Sequence, residues 1–399
     1  MAQGLLIIHC AMAKVKSFVL RVLVGVVLLA HVGMAGVFVF HELLGFTSSN
    51  AALYVLRGRQ GGIELSRDLL LEEADRLIFM LDANCLFNWF MRGLAMARGK
   101  PVMELTWDRA RGVGDVKQFR PDGTILSLTF SRYLEDAGRP QGLFIGGDLP
   151  YGDIARDEDS DTSGFGYYDG QGWKHIWCAL NEGFHVKGTG QTLVPPFWKY
   201  TGSRVLKNSM QEVMLESTHE ALVEGQKIIM RRYVLFRAGQ DYFVLRVKFT
   251  NASPKPLVYG YAIGDEPWVG SFGASRGDVG YYEAGLVQYE KFISPRRHSW
   301  AGFWDIGNPA LGEQGPFTGY ANFVQWFQPA PTYVFFSNSL DDCCSELTPL
   351  QSPVDRVINI VWLEQLLMPG QSREHVLAFG MARYDGRSPL PVKPRVSLN

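Results

Sequence analysis

The densest run of residues able to do chemistry is GWKHIWCALNEGFH, residues 172–185. It gathers Trp173, His175, Trp177, Asn181, Glu182 and His185. Tryptophan faces stack on the C–H surface of sugar rings, while an imidazole and a carboxylate can move protons. On a strand, Trp173 and His175 share one face, with Trp177 next along. An aromatic core strand carrying a hydrogen-bonded His is the competing reading. The second run is Asp265-Glu266-Pro267-Trp268. Two adjacent carboxylates beside a Trp are costly to bury without partners. They read either as a general base, Glu266, with Asp265 as its neighbour, or as loop carboxylates that accept backbone N–H groups. The chemistry expected of the two runs together is acid–base work by His175, Glu266 and Asp265, with Trp173, Trp177, Glu182, Trp268 and Trp304 around the substrate.

Asp157, Asp159, Asp161 and Ser163 place oxygens at alternate positions, as a calcium loop does. The run lacks Gly at the sixth position and Glu at the twelfth, so it is no EF-hand, and a solvated acidic loop is its alternative. Ca²⁺ is the one cofactor that any motif here suggests. Trp300, Trp304, Asp305, Asn308 and Trp326 form a third aromatic-polar group, which reads as structural. His219 reads as a satisfied sheet residue. Cys85, Cys178, Cys343 and Cys344 allow three disulfide connectivities in an oxidising compartment, and Cys85 and Cys178 read equally as small buried apolar residues.

These groups need a scaffold, and the sequence pattern points to antiparallel strands. In residues 242–249, Phe243, Leu245, Val247 and Phe249 alternate with Arg246 and Lys248, as a sheet with one buried face requires. A partner run spans 228–236, and NASPKP at 251–256 breaks the second strand. Further strand-like runs cover 124–130, 257–263, 286–293, 320–327, 333–337, 357–363 and 374–379. The change to strand patterning falls near Gln118. Before it, helical spacing appears over 68–81 and a second helix over 84–98, stopped by Gly99-Lys100-Pro101. The expected class is mainly β: a large antiparallel β-sandwich over 118–399, behind a linker and helical segment at 41–117.

Residues 22–40, VLVGVVLLAHVGMAGVFVF, carry no formal charge and match the ~20 residues that cross a bilayer. Lys14, Lys16 and Arg21 in the 1–21 leader precede them. The positive-inside rule then places the N-terminus in the cytoplasm and the main domain outside, periplasmic or extracellular. A cleaved signal peptide ending near Gly33-Met34-Ala35 is the rival reading.

Two longer stretches carry a family resemblance. RRYVLFRAGQDYFVLRVKFTNASPKPLVYGYAIGDEPW, residues 231–268, sets two long strands before TNASPKPL and a third that ends in an acidic-aromatic cluster. The later VDRVINIVWLEQLLMPGQSREHVLAFGMA closes on a similar strand pair. This rhythm, over roughly residues 120–382, resembles the galactose-mutarotase-like β-supersandwiches of many carbohydrate-acting enzymes and their accessory domains. The resemblance implies a sugar or glycan ligand. Mutarotases use a Glu base and a His acid, and Glu266 is the residue here in a comparable strand-end setting.

Composition closes off other classes. Hydrophobic residues make up 47% and charged residues 20%, which is globular, and the formal net charge is −1. No long basic run is present to track phosphates, so nucleic acid is not an expected partner. The functions expected are a carbohydrate-active enzyme using acid–base chemistry or, as the alternative, a non-catalytic carbohydrate-binding or envelope structural protein.

Overall fold

The computed structural model describes Gly93 and residues 95–131, 140–147, 163–270, 278–307, 315, 317–338, 347–350 and 356–398. The chain divides between Leu94 and Ala95, and every described strand follows that division. Residues 22–40, the helix expected over 68–81, the run Asp157–Asp159–Asp161, and Cys85, Cys343 and Cys344 lie outside the described residues. Within them, no helix is long and apolar enough to cross a membrane. Of the second expected helix, Gly93 and residues 95–97 are helical, and Gly99 closes the turn at φ 71° ahead of Pro101.

The described strands form three antiparallel sheets in a sandwich-like arrangement. The first is a meander of β1 (Val102–Asp108), β2 (Val113–Phe119), β3 (Ile125–Phe130), β4 (Ser163–Tyr168) and β5 (Trp173–Cys178). The nine-stranded sheet runs β14 (Gly285–Val287), β13 (Asp278–Tyr282), β16 (Trp300–Asp305), β17 (Tyr320–Trp326), β20 (Ser372–Arg383), β11 (Tyr242–Asn251), β10 (Gln226–Arg237), β9 (Glu212–Val223) and β8 (Lys199–Asn208). The six-stranded sheet runs β15 (Lys291–Ile293), β18 (Tyr333–Ser337), β19 (Val357–Leu367), β12 (Leu257–Asp265), β6 (Asn181–Val186) and β7 (Thr192–Leu193).

Local chemistry fixes the central strands. β9 and β10 are joined by Glu224-Gly225 at φ 47° and 77°, the two positive values that a right-twisting two-residue hairpin needs. β10 and β11 then pair from Ile228↔Asn251 to Phe236↔Phe243. That register turns Phe243, Leu245, Val247 and Phe249 inward, where all four are fully buried. The expected alternation is therefore present.

Both other sheets cover this inner face. From the six-stranded sheet, Phe184 lies 4.6 Å and Tyr261 5.0 Å from the Phe249 ring. From the five-stranded sheet, Phe165 meets Phe243 at 5.4 Å and Trp177 meets Phe379 at 5.2 Å, edge to face.

Three features differ from the sequence pattern. Strands begin at Val102, ahead of Gln118. β2 buries Asp115, Lys117 and Gln118, and polar residues inside a strand blur its hydrophobic period. The run at 286–293 is split between β14 and β15, which belong to different sheets. The outer face of β11 is covered as well: Tyr242 and Val244 are buried in a second cluster, against which Tyr384, Leu390, Val396 and Leu398 of the C-terminal tail pack.

Candidate functional site

The two runs singled out for their chemistry meet. β5 is paired to the segment that follows β12: His175 N–H donates to the Gly270 carbonyl at 2.8 Å, and Gly270 N–H returns to the His175 carbonyl at 2.9 Å. Three residues on, Asp265 Oδ2 accepts the Cys178 N–H at 2.7 Å. Residues far apart in sequence are joined because β5 ends one sheet and β6, which begins at Asn181, enters the next beside β12.

Buried carboxylates anchor the 265–270 segment. Asp278 Oδ2 accepts the Val269 N–H at 2.8 Å. Asp278 lies opposite Asp305 in the β13–β16 register, and Asp305 accepts N–H groups from Gly307 and Phe317 at 3.0 and 3.1 Å. Gly270 is required where it stands. Its φ is 102°, and a Cβ there would come within 2.9 Å of Phe317 and 3.3 Å of the Asp305 carboxylate. Burial pushes the Asp265 and Asp278 carboxyls well above the usual range, Asp278 being raised further by Asp305. Burial, with the Lys174 charge beside it, pushes the His175 imidazole down to about 4, so His175 is neutral at pH 7.

What solvent reaches is a smaller set. Trp173, Glu266 and Trp268 are half-buried. Trp268 donates its indole N–H to Glu266 Oε1 at 3.0 Å, which fixes both side chains. Trp173 lies 5.6 Å from the Tyr168 ring. The antiparallel pairing sets Trp268 opposite Trp177, and Trp173 at the other end of the bridge. Trp268 with its oriented Glu266 carboxylate, and Trp173 beside Tyr168, therefore each offer an aromatic surface on which a ring can stack.

The other expected site residues are placed differently. Trp177 is fully buried, with its indole N–H on the Gly380 carbonyl at 3.2 Å, and offers a ligand no open face. Glu182 is buried in a forked ion pair with Arg232 of β10, two bonds of 2.6 Å, and also accepts the Tyr261 hydroxyl at 2.9 Å. Trp304 packs 4.5 Å from the Tyr384 ring and donates to the Thr318 carbonyl. All three serve the interior as placed. Cys178 is a free, buried thiol, so it takes no part in a disulfide. His219 is buried on β9, with Nε2 2.7 Å from the Gln141 carbonyl oxygen. Among the described residues no group of three His, Cys, Asp or Glu side chains could hold a metal ion.

Asp278 was not singled out from the sequence, because a lone Asp opening the strand DVGYY gives no sign of the backbone it will meet. Asp305 was read as structural, and its bonds agree.

No family model matches this chain, and no curated protein matches it. Solved structures similar to it include a putative aldose 1-epimerase from Klebsiella pneumoniae, at 11% identity and TM-score 0.34, covering 68% of this chain and 79% of that one. A galactose mutarotase-like protein from Clostridium acetobutylicum matches at 10% identity and TM-score 0.35, covering 71% and 98%. A 4-alpha-glucanotransferase from Thermococcus litoralis matches at 13% identity and TM-score 0.32, covering 72% and 40%. Two of these belong to the group that residues 231–268 resemble. Scores of this size carry no argument about the site, which rests on its own side chains.

Proposed function

We propose that this chain is a saccharide-recognising β-sandwich of the supersandwich type, held outside the cytoplasm by an anchor at residues 22–40. Trp173 and Trp268 are its stacking surfaces and Glu266 its hydroxyl acceptor. The observation that supports this reading is the pairing of His175 with Gly270, which joins the two aromatic-acidic runs at one place. Calorimetry on the full chain in mild detergent, with neutral and acidic oligosaccharides, tests it. Saccharide binding that Trp268→Ala removes is the expected result, and no binding of any saccharide overturns the reading. Cell fractionation tests the anchor: retention in the membrane supports it, and a mature N-terminus near Gly36 overturns it.

A second reading, acid–base catalysis on a sugar, is favoured by one observation. Glu266 is the accessible carboxyl group of this segment, its Oε1 held by the Trp268 indole N–H at 3.0 Å, and a positioned carboxyl group can serve as a general acid or base. Polarimetry of anomer interconversion and reducing-end assays with Glu266→Gln distinguish the two. Turnover that this substitution abolishes supports an enzyme; ligand binding without turnover supports a binding protein.

A further inference from the structure

A groove of about 320 Å³ is lined by none of the residues just described. It is lined by the turn after β2 (Arg120, Pro121 and Asp122), by Gln118, by Gly239 and Asp241 of the β10–β11 connection, by Pro101, and by Arg383 at the end of β20. We infer that this groove is a second saccharide subsite, built for one uncharged sugar residue. The inference rests on the saccharide reading above.

Three observations carry it. The charges cancel: Arg120 and Arg383 stand against Asp122 and Asp241. The Asp241 carboxylate is shared by both guanidiniums, pairing with Arg120 through Oδ1 and with Arg383 Nε through Oδ2 at 3.3 Å. A lining with no net charge gives an anion no net attraction, yet it offers strong donors and acceptors side by side. A sugar hydroxyl is both donor and acceptor, so adjacent hydroxyls suit such a mixed wall.

Donor capacity is also left over. Arg383 keeps half of its side-chain surface open to solvent while its guanidinium lies 5.7 Å from the Tyr320 ring centre.

The walls are fixed in advance. Gln118 donates to the Gln240 carbonyl at 2.8 Å and accepts the Gly239 N–H at 2.9 Å, which locks the β10–β11 connection. Asp122 accepts the Thr124 N–H and hydroxyl, which locks the opposing turn. A site that is rigid before binding loses less entropy on binding. The volume sits at the lower end of the about 300–1,000 Å³ usual for small-molecule sites, which suits one ring and not a long chain.

The test uses the full chain in detergent, titrated calorimetrically with cellotetraose, maltotetraose, mannotetraose and a tetragalacturonate. Wild type, Arg383→Met and Trp268→Ala are compared after melts confirm that each folds. Amide exchange of residues 118–123 and 239–241 in the wild type, with and without sugar, gives a reading that needs no variant. The expected result is binding of a neutral tetrasaccharide that Arg383→Met weakens about tenfold or more, with protection of both turns. Binding lost in Trp268→Ala but unchanged in Arg383→Met, without protection of the turns, overturns the subsite and leaves the saccharide reading standing. Preference for the galacturonate overturns the uncharged-ligand assignment. Absence of any saccharide binding overturns the reading on which the subsite rests.

Discussion

Asp265 accepts the backbone N–H of Cys178 across the junction between two sheets, at 2.7 Å with both residues buried. The bond ties the strand that carries Trp173 and His175 to the segment that carries Glu266 and Trp268. Asp278 secures the same segment one bond further on, at Val269. The accessible part of the site is thus positioned by carboxylates that are themselves buried.

Asp278 should make the protein less stable as pH rises. Its folded-state carboxyl is raised well above 3.8. A raised carboxyl pKa means that stability is fully present below the unfolded value and is lost as pH climbs from about 4 through the folded value. In Asp278→Asn an amide oxygen still accepts the Val269 N–H, and the charge is gone. Melting temperature followed from pH 4 to 9 should fall less steeply in the variant than in the wild type. Parallel curves would mean that Asp278 does not titrate in this window.

The ion pair of Glu182 and Arg232 is buried between sheets, with Arg232 wholly inaccessible. Removing one partner strands the other charge in the interior, which costs about 3–5 kcal/mol. Arg232→Met should therefore lower the unfolding free energy by about that amount in urea titration. The double variant Arg232→Met/Glu182→Leu should recover much of the loss, because it leaves no unpaired charge. Failure of the second substitution to help would show that packing of the guanidinium, and not its charge, matters most.

Much of the central sheet was legible in the sequence because residues 228–236 are rich in strand-forming types and residues 243–249 set Phe243, Leu245, Val247 and Phe249 against Arg246 and Lys248. The inward set of those four follows from that alternation alone. The covering of Val244 does not, since the tail residues Leu390, Val396 and Leu398 that bury its side of the sheet carry no mark of their destination. The same holds for the site. Residue types identified the 172–185 and 265–268 runs, and aromatic and acidic character says nothing about depth. Depth separated Trp268 from Trp177, and Glu266 from Glu182, because a partner strand supplies each buried residue with a long-range contact that sequence does not display.

Acid should destabilise the fold through its histidines. Burial holds His175 down to about 4, and His219 and His375 down to about 3. A depressed imidazole pKa means that stability is present above about 6.5 and is lost as pH falls through the folded value. His219 must carry its proton on Nε2, since the Gln141 carbonyl 2.7 Å away can only accept. In His219→Gln the amide N–H₂ can keep that bond without titrating, so the loss of stability between pH 6.5 and 4 should shrink. Denaturant midpoints at pH 7 and pH 4.5 measure the difference, and an unchanged gap would assign the acid sensitivity to other groups.

Glu266 and Trp268 should respond differently to substitution, and the difference tells a binding site from a catalytic one. Trp268 offers an indole face and fixes the Glu266 carboxylate through the 3.0 Å bond. Loss of that face in Trp268→Ala removes stacking area and the bond to Glu266, so affinity for an oligosaccharide should drop about tenfold or more. Glu266→Gln keeps the size of the side chain and an acceptor oxygen, and the indole can still donate to it. If the site only binds, this variant should keep its affinity within about threefold, because one hydroxyl bond changes from charge-assisted to neutral. If Glu266 moves a proton, affinity should hold while turnover falls about a hundredfold or more, the usual contribution of a positioned acid or base. Calorimetry and turnover measured on the same preparations give both numbers. Affinity kept within about threefold in Glu266→Gln, with no turnover in the wild type, would place the carboxylate in ligand binding alone.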